Sequence, residues 1–235
     1  MTLLTVAQEI LRETKNSVIP STIIGNNQDA AKQVLEALTV SITNLSRSYD
    51  WQELIKEGTI ATVASTEGYA LPSDFDRFID NTFWNTTEKW KVTGPVTPQE
   101  WRMLNDSSVS GGAVGNYFRI RDNEIKIFPT PTAVENYKYE YVTDLIVEDS
   151  GGTGQTGWEA DTDVPVIDEY ILRLDATWRL LNMQGRPYAE KQRELDVALA
   201  ERTSRNGARE TIYHDADYFT IDKSRIGYPT VITAP

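Results

Sequence analysis

Hydrophobic positions along this chain recur with two different periods, and the change between them divides the sequence. Ala31, Val34, Leu35, Leu38, Ile42, Leu45 and Tyr49 fall three or four residues apart, predicting an amphipathic helix about five turns long whose apolar end Trp51 extends. Asn26 and Asn27 stand where they can cap it, and Asp29 occupies its first turn, where the helix dipole favours a carboxylate. A shorter helix precedes it. Thr5 and Gln8 form a capping-box pattern, Val6, Ile10 and Leu11 make the stripe, and an end is expected near Ser17, before Pro20. Helical period returns after Pro165 in Ile167, Tyr170, Ile171, Leu174, Trp178 and Leu181, with Asp168 and Glu169 at the start and Gly185 as the stop. A fourth helix is expected from Pro187 to Gly207. Its stripe of Tyr188, Leu195, Ala198 and Leu199 is narrow, which places it at the periphery with its many charges solvated.

Between the helical stretches the period shifts toward two. GTIATV, RFIDNTFWN, EKWKVT, NYFRIRD, EIKIFPT and NYKYEYVT are rich in β-branched and aromatic residues, and several alternate apolar with polar positions as half-buried strands do. Antiparallel pairing is expected, with a tight hairpin at Arg121, Asp122 and Asn123 and a break at 129–132. Pro98 opens one short helix, QEWRML, inside this region. LPSDF at 71–75 reads as a corner, and the glycine-rich 150–157 as a surface loop. The fold class these elements predict is α+β: a four-helix bundle scaffold with an inserted antiparallel β domain and an extended carboxy-terminal arm. The bundle is discontinuous, 1–50 with 165–207; the insertion is 51–164 and the arm 208–235.

Composition narrows the chemistry. The chain has 235 residues, no cysteine, one histidine and a formal net charge of −12. Zero cysteines exclude a disulfide framework and thiolate metal sites. The first residues lack the basic flank and apolar run of a signal peptide, and no window approaches a membrane span, so a soluble protein is expected. Net acidity argues against gripping nucleic acid, which needs clustered Lys and Arg, but suits a wall past which DNA slides without sticking. Acids concentrate in 144–175, where Asp144, Glu148, Asp149, Glu159, Asp161, Asp163, Asp168, Glu169 and Asp175 face Arg173 alone. Glu159, Asp161 and Asp163 are the candidate acidic channel face.

Catalytic candidates are few. His214 beside Asp215 and Asp217 reads as a solvated side chain, and Asp161, Asp163 and Asp168 lack the glycine turn and closing Glu of a calcium loop. No catalytic, metal or cofactor residue is expected. Trp84, Trp90 and Trp101 leave open a carbohydrate- or receptor-binding module, and the many carboxylates leave open, less favourably, a polysaccharide hydrolase. The tail after Gly207 has no helical period yet carries Tyr213, Tyr218, Phe219, Ile221, Ile226, Tyr228 and Val231, too many apolar groups for a solvent-loving tail. Two readings stand: a segment folded over its own domain, or an arm that orders on a neighbour.

Six phrases in order also resemble those of the head-to-tail adaptor proteins of tailed bacteriophages, also called head-completion or connector proteins. They are LSRSYDW at 45–51, YALPSDFDRF at 69–78, GPVTPQEW at 94–101, YFRIRDNEIKIFPTP at 117–131, the strand ending YEYVT, and WEADTDVPVIDEYILRLDATWRLL at 158–181. The resemblance covers the chain to about Thr211. It implies a structural virion protein at the head-tail junction, made in the host cytoplasm, and a homo-oligomeric ring, usually a dodecamer, beneath the portal protein. Portal and tail or nozzle proteins would be its partners, and DNA would pass through its centre without specific binding; the tail after Gly207 departs from the family, and the tail residues named above are a candidate assembly interface from their own apolar pattern. No enzymatic role, cofactor or membrane partner is implied.

Overall fold

The computed structural model describes residues 1–16, 18–106 and 115–206. Its helices are α1 (Leu3–Glu13), α2 (Asp29–Ser48), α3 (Pro98–Asn105), α4 (Glu169–Met183) and α5 (Ala189–Asn206). Its strands are β1 (Ile55–Ala61), β2 (Gly68–Ala70), β3 (Phe75–Phe78), β4 (Trp84–Asn85), β5 (Trp90–Thr93), β6 (Asn116–Arg121), β7 (Glu124–Phe128), β8 (Asn136–Thr143), β9 (Val147–Glu148), β10 (Gly154–Gln155) and β11 (Val164–Pro165). The described residues of 1–56, 74–77 and 141–206 form one compact unit, and those of 57–73 and 78–140 a second.

In the first unit, α1 begins a turn earlier than the capping pattern predicts, because Thr2, not Thr5, is its cap and Leu3 lengthens the stripe backwards. The Thr2 hydroxyl accepts from Thr5 N, and Leu3, Val6, Ala7, Ile10 and Leu11 are buried. The helix stops at Glu13, where the buried Thr14 hydroxyl donates to the Ile10 carbonyl and Lys15 turns left-handed. On α2 the predicted stripe is buried at Ala31, Val34, Leu38, Ile42 and Leu45. Small Ala37, Ser41 and Ser46 widen the covered face. The Trp51 indole N–H donates to the Leu45 carbonyl, satisfying one of the orphan acceptors at the end of α2.

Helix α4 is the centre of this unit, since α1, α2 and α5 all pack on it. Its covered face is therefore broader than a stripe and takes in Ile171, Leu172, Leu174, Asp175, Ala176, Thr177 and Leu180. The outward turn of Tyr170, half exposed, corrects its assignment to the buried stripe. Gly185, at φ 66, ends the helix as expected. Helix α5 packs on α4 with Leu195 the one buried side chain among its described residues, and ion pairs hold it: Lys191 to Glu13 at 2.7 Å, and Arg202 to Glu53. A four-helix bundle scaffold is thus not what forms. A bundle needs four stripes facing one shared core, and the stripe of α5 is too narrow to reach it. A small sheet in the order β10-β9-β11 completes the unit, so the glycine-rich 150–157 supplies a strand as well as a turn.

The second expectation overturned is a purely antiparallel insertion. The large sheet is mixed and runs β1-β8-β4-β5-β6-β7-β2, with β3 also on β8. Strands β5 and β6 pair parallel, Val92 opposite Asn116. Parallel neighbours need a long crossover, and 94–115, which carries α3, supplies it. Helix α3 was legible from Pro98, and its Thr97–Glu100 capping box fixes its start. The β6–β7 hairpin is as predicted: Arg121 pairs with Glu124 across Asp122 and Asn123, both left-handed at φ 57 and 61.

The sheet curls into a nearly closed barrel. Its two edge strands, β1 and β2, are consecutive in the chain, joined only by 62–67. Six strand spacings in a flat sheet would separate them by about 29 Å. Seven residue steps reach at most about 25 Å even when fully extended, and Thr66 N bonding to Val63 O shortens this link further. An aromatic core fills the unit. Phe83 lies edge-on to Phe118 with centroids 4.6 Å apart and 5.4 Å from Tyr139, and Phe78 contacts all three rings. Gly58 sits directly against the Tyr139 ring, where a β-carbon would lie 2.3 Å from it.

Candidate functional site

The acid-rich segment before α4 is the natural place to look for a working surface, and its geometry is built from backbone donors. Asp163 is 1% exposed, and its Oδ2 accepts from the N–H groups of Glu159 and Ala160, both at 2.7 Å. The Asp161 carboxylate accepts from Ile23 N and Ile24 N at 2.8–3.1 Å. The carbonyls of the same two aspartates take the N–H groups of Leu3 and Leu4 at 2.7 and 3.1 Å. Those are orphan donors of the first turn of α1, so the acidic segment is the seat on which that helix starts. Asp168 caps α4 through Tyr170 N and Ile171 N, and Asp149 holds a turn through Gly151 N and Thr153 N. Buried Asp175 holds Arg179 and the Trp178 indole.

The carboxylates of this run therefore divide by task. Asp161 and Asp163 point at backbone, whereas Glu148 and Glu159 are exposed. Among the described residues no group of three His, Cys, Asp or Glu side chains is placed to hold a metal ion. No helix among them is long and apolar enough to cross a membrane. Residues Tyr213, Tyr218, Phe219, Ile221, Ile226, Tyr228 and Val231 lie outside the described residues, as does His214.

A second polar centre was missed in the sequence, where LPSDF signalled only a corner. Asp74 accepts from Lys56 Nζ at 2.7 Å, the Thr143 hydroxyl at 2.9 Å and the Tyr141 hydroxyl at 3.0 Å. Burial pulls its carboxyl upward, but the bonds from Lys56, Thr143 and Tyr141 outweigh that and hold it below the usual carboxylate value. Its neighbour Asp144 goes the other way. Burial, then the charge of Asp74, pushes the Asp144 carboxyl up, and its Oδ1 is enclosed without a partner among the described residues. Thr43, Ser46, Arg47, Asp76, Ile146 and Thr156 line the adjoining cleft of about 230 Å³. No local pattern announces this pairing, because Asp74 and Tyr141 are far apart in the chain.

The tryptophans do not form one surface. Trp101 is 8% exposed and stands edge-on to Phe128, so it is core. Trp84 pairs with Lys91 and Trp90 with Asn85 in adjacent positions of the β4–β5 ladder, which puts the two indoles on opposite faces.

The wording and order of the segments found their counterpart in a family comparison: the model of the SU10 adaptor protein matches residues 1–218. The chain belongs to the SU10 adaptor protein family. A search of curated proteins finds no match. SU10 adaptors are a phage head-to-tail adaptor family, which makes this a bacteriophage virion component with a structural role in assembly.

Proposed function

We propose that this SU10 adaptor forms a homomeric ring between capsid portal and tail and that DNA passes through its bore. The observation that carries the reading is the family match over residues 1–218. Twelve subunits is the number the adaptor resemblance implies. The net charge of −12 supports a passage that repels phosphate, with Glu159 the exposed member of the candidate acidic face. Asp161 and Asp163 would contribute only field there, since their oxygens are engaged with backbone. The carboxy-terminal arm, through Tyr213, Tyr218, Phe219, Ile221, Ile226, Tyr228 and Val231, is the proposed contact to portal or neighbouring subunit.

Electron microscopy of the purified protein, alone and with portal, tests the reading. Rings seated on the portal are expected. Monomers that leave the portal bare would overturn it, and duplex DNA binding that weakens with added salt would remove the conduit role.

A further inference from the structure

The barrel of the second unit closes on a link that is held by hydrogen bonds outside any ladder. Strands β1 and β2 stand at the two ends of the sheet and do not pair with each other among the described residues, so residues 62–67 bridge the seam. Both feet of this strap are fixed to backbone. Thr62, 1% exposed, donates its N–H to the Glu135 carbonyl at 2.8 Å, while its hydroxyl accepts from Glu135 N at 2.8 Å and donates to the Ala133 carbonyl at 3.0 Å. At the other end Ile127 N donates to the Glu67 carbonyl at 3.0 Å. Between the feet, Thr66 N closes a turn on the Val63 carbonyl at 3.1 Å. Ser65 takes the third position of that turn at φ 65, a conformation that glycine favours and a serine holds only under strain.

Two contacts hold the turn against that strain. The Tyr69 hydroxyl donates to the Thr66 carbonyl at 2.8 Å and accepts from Val63 N at 3.1 Å, so one phenol grips both ends of the turn. Tyr69 is itself fixed on β2 opposite Ile125. Ser65 N donates to the Pro131 carbonyl at 2.8 Å. Apolar burial contributes little here, since Val63 is 60% exposed and Ala64 and Ser65 are exposed as well. A segment fixed by a few accessible hydrogen bonds opens at lower free energy than strands that share a buried ring cluster. We propose that residues 63–66 are a latch on the barrel seam, gripped by Tyr69, and that the second unit opens there before any of its ladders breaks. Release straightens a turn whose ends lie within about 7 Å, and three extended residue steps span about 10 Å. The seam then widens by about 3 Å, while the fixed feet keep the sheet from unrolling. Nothing in this device depends on ring formation.

The test is amide hydrogen exchange of the isotope-labelled full chain, followed by NMR under conditions in which the rate reports the opening equilibrium. In the wild type, Ser65 and Thr66 should exchange faster than the hydrogen-bonded amides of the β6–β7 ladder. Tyr69→Phe keeps the ring and removes the grip. Ser65 and Thr66, whose own acceptors stay intact, should then exchange about three- to tenfold faster, the worth of one hydrogen bond, with the ladder amides unchanged. Ser65→Val forces a β-branched side chain into the left-handed position and should accelerate Val63 and Thr66 likewise. Should Tyr69→Phe fail to fold, Ser65→Val, at an exposed position, carries the comparison. Equal acceleration of strap and ladder amides would mean that the unit opens as a whole and would overturn the latch. So would unchanged exchange of Thr66 in either variant, or slower exchange in the strap than in the ladder of the wild type.

Discussion

The two units of this SU10 adaptor solve the same problem, covering apolar surface with few residues, by different chemistry. The first buries aliphatic stripes, Val34, Leu38 and Ile42 on α2 with Ile171, Leu172 and Leu174 on α4, and spends its aspartates on helix starts and turns. The second has short strands, so it relies more on large rings: Phe83, Phe118, Tyr137 and Tyr139 are buried together in its interior, and Gly58 makes room for one of them. Stripes can be repaired locally because each side chain covers its own patch. A ring cluster is shared by β3, β6, β8 and the residue before β4, so one deletion is felt by all of them.

The sharpest way to break that comparison is to remove one ring. Phe83→Ala should cost about 3 to 5 kcal/mol, the upper range of core deletions, because four aromatic neighbours lose a face. Near-ultraviolet circular dichroism should melt earlier while the helical signal at 222 nm persists. A coincident shift of both signals would show that the units unfold as one. Leu38→Ala or Leu174→Ala should cost about 2 to 5 kcal/mol and move the helical signal first. Unchanged melts in these variants would mean that the stripes carry little of the core.

Next in size is the acidic seat of α1. Asp161→Ala leaves the N–H groups of Ile23 and Ile24 without their acceptor and should cost about 1 to 3 kcal/mol, whereas Asp161→Asn retains an acceptor and should cost less. Equal melts for wild type and Asp161→Ala would return this aspartate to the role of a surface charge. The distinction matters for the proposed channel: neutralising Asp161 and Asp163 perturbs folding, so Glu159 is the cleaner residue with which to probe DNA passage.

These aspartates also show where the sequence was legible. Helical and strand periods depend on neighbours in the chain, so α2, α3, α4 and the β6–β7 hairpin could be read from spacing and turn residues alone. The parallel β5–β6 pair, the curled sheet and the width of the α4 face depend on what packs from elsewhere, and a single stripe carries no record of that. The same holds for acids. Asp168 could be read as a helix cap because its partners are two and three residues on; Asp161, bonded to Ile23 and Ile24, could not, and looked like free surface charge. The bonds from Asn85 and Tyr137 to Glu135 were hidden for the same reason, the two donors being joined only across a ladder.

A smaller effect comes from the Asp74–Asp144 pair, whose opposite shifts give opposite signs. The Asp74 carboxyl is held below its ordinary 3.8, so its contribution is present above that pH and lost as pH falls through the folded value. For Asp144 the folded value is raised, so its contribution is in place below the unfolded value and lost as pH rises through the folded one. Asp76 and Lys56 act on Asp144 in opposite directions, the Asp76 charge raising its carboxyl and the Lys56 charge lowering it. In urea unfolding, Asp74→Asn should be less stable than wild type at neutral pH and converge with it in acid. Asp144→Asn should match wild type in acid and exceed it at neutral pH. Parallel curves for either variant across pH would show that the pair does not titrate with folding.

The smallest expected effect on stability tests the largest claim about assembly. If the arm serves intermolecular contact, a chain ending at Gly207 loses no core, because Leu195 already closes the α5 face and ion pairs from Lys191 and Arg202 hold that helix down. Its melting temperature and far-ultraviolet spectrum should stay within error of the full chain. Ring formation or portal attachment should disappear, since the apolar contacts supplied by Tyr213, Tyr218, Phe219, Ile226 and Tyr228 are those an interface concentrates in a few residues. A truncated chain that melts several degrees lower would place the arm on its own subunit. One that still assembles on the portal with full affinity would move the interface to the described surfaces, where the exposed acids before α4 become the residues to mutate.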